Sequence, residues 1–85
     1  MIVHDAGQVG RLIRDRRREV GLTAARTAEL AGVSRRLLTE LERGKRRNVG
    51  VAAVFRVLEL LGLKVDVTVR NVTGAPVLDR GQRGA

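Results

Sequence analysis

Residues 22–42 read LTAARTAELAGVSRRLLTELE, and this stretch decides the fold. Thr23 is a favoured N-cap, and a short helix is expected from Ala24 to Ala31. Gly32 then permits the left-handed turn that a bulkier residue resists. Ser34 caps a further helix that ends near Arg43, with Gly44 as its stop. Leu37, Leu38 and Leu41 recur at spacings of three and four, so that side packs inward. Ser34, Arg35, Arg36, Thr39, Glu40 and Arg43 are left outside or at the boundary.

Before this stretch, Asp5 and Gln8 form a D-x-x-Q capping box for a helix running to about Val20, with Gly21 as its stop. Val9, Leu12, Ile13 and Val20 share one side, and Arg11, Arg14, Arg17 and Arg18 cover the others, with Arg16 at the flank. Gly10 inside this helix costs about 1 kcal/mol relative to Ala, which points to a close contact with a neighbouring element.

After it, GKRRNVG from Gly44 to Gly50 is a loop with three consecutive cations. A helix from about Val51 to Leu61 has only Arg56 and Glu59 as polar residues, so it must be covered on more than one side. Four short helices cannot enclose it alone, which implies a second copy of the chain. Leu63 to Val72 then alternates, with Leu63, Val65, Val67 and Val69 on one face. A lone strand leaves its N–H and C=O groups unpaired, so its partner must come from another molecule. Both observations favour a homodimer, with Val54, Val57, Leu58, Leu61, Val65, Val67 and Val69 at its interface. Pro76 argues against a further strand over Pro76–Leu78. Thr73 to Ala85 is expected to be a flexible tail. The expected architecture is mainly α: residues 1–62 as a four-helix unit, 63–72 as a dimerisation strand and 73–85 as the tail.

Composition narrows the function. The 85 residues support one small domain with a thin core, burying about 60–65% of the surface an unfolded chain exposes. There is no Cys, hence no disulfide and no thiolate metal site, in keeping with a cytoplasmic protein. The N-terminus MIVHDAGQ lacks a secretory pattern, and no run approaches a membrane span of about 20 apolar residues. Seventeen Lys and Arg stand against nine Asp and Glu, giving +8. From Arg11 to Arg47 there are twelve basic and five acidic residues, which is +7 of that total. Such a field attracts polyanions, nucleic acid first and anionic membrane second. Fifteen of the seventeen cations are Arg, suited to bidentate phosphate and guanine contacts. The single His4 has no paired acid or nucleophile nearby, so no catalytic, metal or cofactor constellation stands out, and an enzyme is not expected. With Phe55 the sole aromatic residue, there is no stacking platform for RNA.

The stretch Val9 to Leu61 resembles the helix-turn-helix of the phage-repressor-like (Xre/Cro) family. Ala28 is the small residue where two helices cross, Gly32 follows four residues later, and Val33, Ser34, Leu38 and Leu41 fall in register. GVSRRLLTELERGKRRN matches the family's recognition helix and following loop. Two positions depart: Ala24 replaces the usual phosphate-binding Gln, and Thr27 stands where Leu is usual, which weakens the core. The continuation RVLELLGLKVDVTVR resembles the HipB-type antitoxins, repressors whose strands pair between subunits and which bind a kinase-like toxin.

This resemblance implies a homodimeric, sequence-specific repressor on a pseudo-palindromic double-stranded operator, acting as the autorepressing antitoxin of a toxin–antitoxin operon. Two alternatives stand beside it: a free-standing regulator without a toxin, and a module whose main act is to neutralise a toxin. Recognition needs a helix in the major groove and cations on the backbone. Arg35 and Arg36 suit guanine O6 and N7, Thr39 a thymine methyl, and Glu40 cytosine N4. Glu40 alternatively pairs with Arg36 or Arg43 along the helix. Ser34 is an N-cap, a phosphate or base contact, or both. Thr23, Arg26, Arg43, Lys45, Arg46, Arg47 and Asn48 are the expected phosphate contacts. Arg14, Arg17 and Arg18 either extend that face or simply keep the surface soluble.

Overall fold

The computed structural model describes residues 2–45 and 48–69. It contains four helices in these segments: α1 (Ala6–Glu19), α2 (Ala24–Ala31), α3 (Arg35–Glu42) and α4 (Val51–Leu60). The first three helices start, and all four end, for local reasons. The Asp5 carboxylate accepts from the Gln8 amide at 2.8 Å, while the Gln8 side chain accepts from the His4 amide, so the capping box closes one residue early. Thr23 and Ser34 cap α2 and α3 in the same manner, accepting from Arg26 N at 3.1 Å and Leu37 N at 3.0 Å. Gly32, at φ 72°, ends α2 in the left-handed region and lets the Val33 amide reach back to the Ala28 carbonyl at 3.0 Å. Gly21, Gly44 and Gly62 close the other three helices with the same backbone conformation.

The helices enclose one core of Ile13, Ala28, Ala31, Leu38, Leu41, Val57, Leu58 and Leu61. α1 packs on α3, and α2 packs on both α3 and α4. Gly10 is the point of closest approach between α1 and α3. A Cβ there would lie 1.9 Å from the Leu41 carbonyl oxygen, so only glycine lets the helices meet. The Arg16 Nε donates to the Leu61 carbonyl at 2.9 Å, tying α1 to the end of α4. Val20, expected on the apolar side of α1, stands half-exposed beyond its end.

Of three expectations the structure bears on, the first requires correction and the other two gain detail. Val57, Leu58 and Leu61, assigned to a subunit interface, are buried by their own chain at 0%, 7% and 3% exposure. Helix α2 covers that face of α4, and Val54 also packs against the core. The apolar surface that α4 leaves open is instead Val51 and Phe55. Second, no strand forms over 63–69, and residues 70–72 of that expectation lie outside the described residues. The single chain offers this segment no ladder partner, and Val65, Val67 and Val69 stand 54%, 88% and 99% exposed. Third, Thr27, expected to weaken the core slightly, brings no unsatisfied group into it. It is fully buried, and its hydroxyl donates to the Thr23 carbonyl at 2.8 Å, so no polar group is stranded.

Candidate nucleic-acid interface

The helix-turn-helix places the starts of α2 and α3 as two capped, exposed N-termini joined through the turn at Gly32. Ser34 has its oxygen committed to the Leu37 amide, and its hydroxyl proton remains available to donate outward. Arg35 and Arg36 follow it and are exposed. Arg35 has no carboxylate partner among the described residues. Arg36 Nε donates to Glu40 Oε2 at 3.2 Å, one turn on. The Arg36 side chain is nonetheless 84% exposed, so this pair is weak and easily exchanged for another acceptor. Thr39 and Glu40 are half-buried behind these arginines. The five base-reading candidates therefore fall in order from an exposed tip to a partly enclosed base.

The expected phosphate contacts divide. Thr23 is exposed at the start of α2. Arg26 is exposed but pairs with Glu29 at 2.7 Å. Arg43, Lys45 and Asn48 are exposed around the end of α3 and the loop after it. Arg46 and Arg47 lie outside the described residues. Among the described residues no group of His, Asp or Glu side chains is arranged to hold a metal ion. No helix among them is long and apolar enough to cross a membrane.

Arg17 does neither of the things expected of it. Its guanidinium forms two hydrogen bonds to the Glu42 carboxylate, at 2.7 and 3.0 Å, and a third to the Leu22 carbonyl at 2.9 Å. Both side chains are largely buried, at 13% and 8% exposure. The Glu42 hydrogen bonds hold the Arg17 guanidinium above the usual arginine range, against the opposing effect of burial. The pair thus clamps α1 to the end of α3 and orients α3. A signal for it was present. Arg17 follows Ile13 by four residues and Glu42 follows Leu38 by four, so both occupy apolar stripes.

Phe55 was also missed as a surface residue. It is half-exposed and lines an open groove of about 710 Å³ with Leu58, Leu63, Val65 and Val67. Of the seven residues assigned to a subunit interface, Val65, Val67 and Val69 retain accessible side chains beside this groove or beyond it.

A family model described as "Helix-turn-helix domain" matches residues 8–70. No curated protein matches the chain. Among solved structures, the chain is similar to the restriction-modification controller protein C.AhdI from Aeromonas hydrophila. The identity is 28%, the TM-score 0.64, and the match covers 71% of this chain and 89% of that one. It also shares its fold with a chain of the HipA-HipB-O2-O3 complex. There the identity is 17% and the TM-score 0.73, over 84% of this chain and 99% of the other.

Proposed function

The chain belongs to the helix-turn-helix family, and from that premise we propose that it is a sequence-specific transcriptional repressor acting as a homodimer on pseudo-palindromic double-stranded DNA. The observation that carries this reading is the exposed cap of α3, where Ser34, Arg35 and Arg36 project from a helix locked behind them by Gly10 and the Arg17–Glu42 pair. In this reading Ser34, Arg35, Arg36, Thr39 and Glu40 face base edges in the major groove. Arg36 exchanges Glu40 for guanine, or the two act together on one base pair. Thr23, Arg26, Arg43, Lys45, Arg46, Arg47 and Asn48 hold phosphates and fix the register. Two subunits joined through Phe55 and the 63–72 segment set the reading helices about 34 Å apart, one turn of DNA.

Arg35→Ala is expected to relax the preference for operator over scrambled DNA, losing roughly 1–3 kcal/mol of discrimination. Lys45→Ala is expected to weaken both DNAs alike and to lower the salt slope by about 0.9. Binding titrations on both duplexes across salt test this, and equal loss on the two DNAs for the Arg35 variant would overturn the base-reading role. Protection of an inverted repeat upstream of the protein's own reading frame is the expected sign of autorepression.

The regulatory setting has two readings. The fold likeness to the HipA-HipB-O2-O3 chain over 84% of this chain supports an antitoxin that represses its own operon and binds a kinase-like toxin. The higher identity to C.AhdI supports a free-standing regulator. A neighbouring reading frame for a kinase-like protein that co-purifies with this chain selects the first. Its absence selects the second.

A further inference from the structure

The cations of this chain separate into paired and unpaired sets. Arg16, Arg17, Arg26 and Arg36 each have a carboxylate partner. Arg11, Arg14, Arg43 and Lys45 have none among the described residues, are exposed, and line a single groove of about 380 Å³. The groove lies between the first half of α1 and the turn that ends α3. One carboxylate reaches it, Glu42, and both of its oxygens are taken by Arg17. Asp5, beside Gly7 at its edge, is engaged as the cap of α1. The groove therefore gathers four positive charges, none of them in an ion pair with a carboxylate, and the one negative charge at its edge outside an ion pair, Asp5, leaves a clear positive excess.

Such a cluster raises the energy of the folded chain, since charges within a Debye length of about 8 Å repel one another. A bound anion removes that repulsion. The backbone makes room for one. A Cβ on Gly44 would come within 3.6 Å of the Gly7 Cα, so two glycines meet at the floor and no side chain fills the groove. No aromatic or large apolar side chain lines it, so nothing there stacks on a base or a ring. The chemistry suits phosphate oxygens alone. Arg43 and Lys45 also continue directly into the loop proposed to grip the DNA backbone beside α3.

We propose that this groove holds backbone phosphates of duplex DNA flanking the stretch read by α3, which makes Arg11 and Arg14 of α1 part of the DNA-binding surface. This rests on the DNA-binding reading above and extends its footprint on the α1 side.

The test is titration of a random-sequence duplex across salt with the full chain and its Arg11→Gln, Arg14→Gln and doubly substituted variants. Each single change lowers the salt slope by about 0.9, and the double change by about twice that. The double variant also binds roughly tenfold or more weakly at physiological salt. Arg11→Lys/Arg14→Lys, which keeps the charge, retains the slope. Melting temperatures hold or rise slightly, because neither residue has an ion-pair partner in the fold and losing its charge relieves the repulsion. An unchanged slope in the double Gln variant, while Arg35→Ala still loses operator preference, overturns the groove and leaves the helix-turn-helix reading standing. No duplex binding by the unaltered chain overturns both. Sodium tripolyphosphate, titrated in parallel, separates the remaining source. If the Gln variants lose tripolyphosphate binding but keep the duplex slope, the groove is a small-anion site and its DNA role is overturned.

Discussion

Gly10 and the Arg17–Glu42 pair show how single residues set the position of α3. Gly10→Ala gains about 1 kcal/mol of intrinsic helix propensity. It also drives a methyl group to within 1.9 Å of the Leu41 carbonyl oxygen, where backbone must move. Overpacking outweighs propensity here, and a net loss of about 1–2 kcal/mol is expected in denaturant unfolding. Arg17→Ala strands the Glu42 carboxylate beneath α1. A loss of about 3 kcal/mol follows, the low end for buried pairs because both groups keep some contact with water. Arg17→Met with Glu42→Leu removes both charges and is expected to recover most of that stability. If the double variant were as unstable as Arg17→Ala, the loss would lie in packing and not in the stranded charge. With its range raised, Arg17 stays charged throughout physiological pH, so its side of the clamp holds there and gives way only in strong alkali.

At the scale of the element, α3 has two tasks that meet at Ser34. As N-cap it satisfies the Leu37 amide, and Ser34→Ala is expected to cost about 1 kcal/mol of stability. As the tip of the reading helix it also approaches DNA in the proposed function. Ser34→Asp separates the two. Asp caps as well as Ser, so thermal stability is retained, while its negative charge opposes phosphate and DNA affinity falls. An Asp variant that binds DNA as tightly as the unaltered chain would remove Ser34 from the interface. The same helix shows what was legible beforehand. The cap, the Gly32 turn and the spacing of Leu38 and Leu41 are local features, readable from residues 22–42. Glu40 is different: Arg36 and Arg43 are both within reach along the helix, and only the structure shows the hydrogen bond from Arg36.

For the whole molecule, the apolar surface left open by α4 and the segment after it is the main consequence of the fold. Val67 and Val69 are almost wholly exposed, and Phe55 is half-exposed beside them. Full burial of a valine contributes about 1.5–3 kcal/mol, so a second copy covering these side chains gains substantially. Val67→Lys and Phe55→Ser are expected to shift the protein from dimer to monomer in sedimentation equilibrium while the helices persist by circular dichroism. Leu58→Ala acts in the other way. It leaves a cavity in the chain's own core and costs about 2–5 kcal/mol of stability. A Val67→Lys protein that stays dimeric would place the subunit contact elsewhere.

The amino-acid sequence by itself determined the four helices, the side-chain caps of the first three, the glycine stops, the register of the helix-turn-helix and the excess of arginine along it. These follow from hydrogen bonds and periodicities spanning at most a few residues, which a linear reading captures. It also marked Gly10 as a point of close approach without showing what approached. The tertiary structure alone decided which face of α4 belongs to the chain's own core. Val57, Leu58 and Leu61 share a helix with Val51 and Phe55, and only the position of α2 distinguishes the two sets. The structure likewise decided which cations are engaged. Arg14 and Arg17 look alike on α1, yet Arg17 lies above Glu42, 25 residues away, and Arg14 opens onto the basic groove. Charge is a property of the sequence, but whether a charge is neutralised depends on distance, and folding sets the distances.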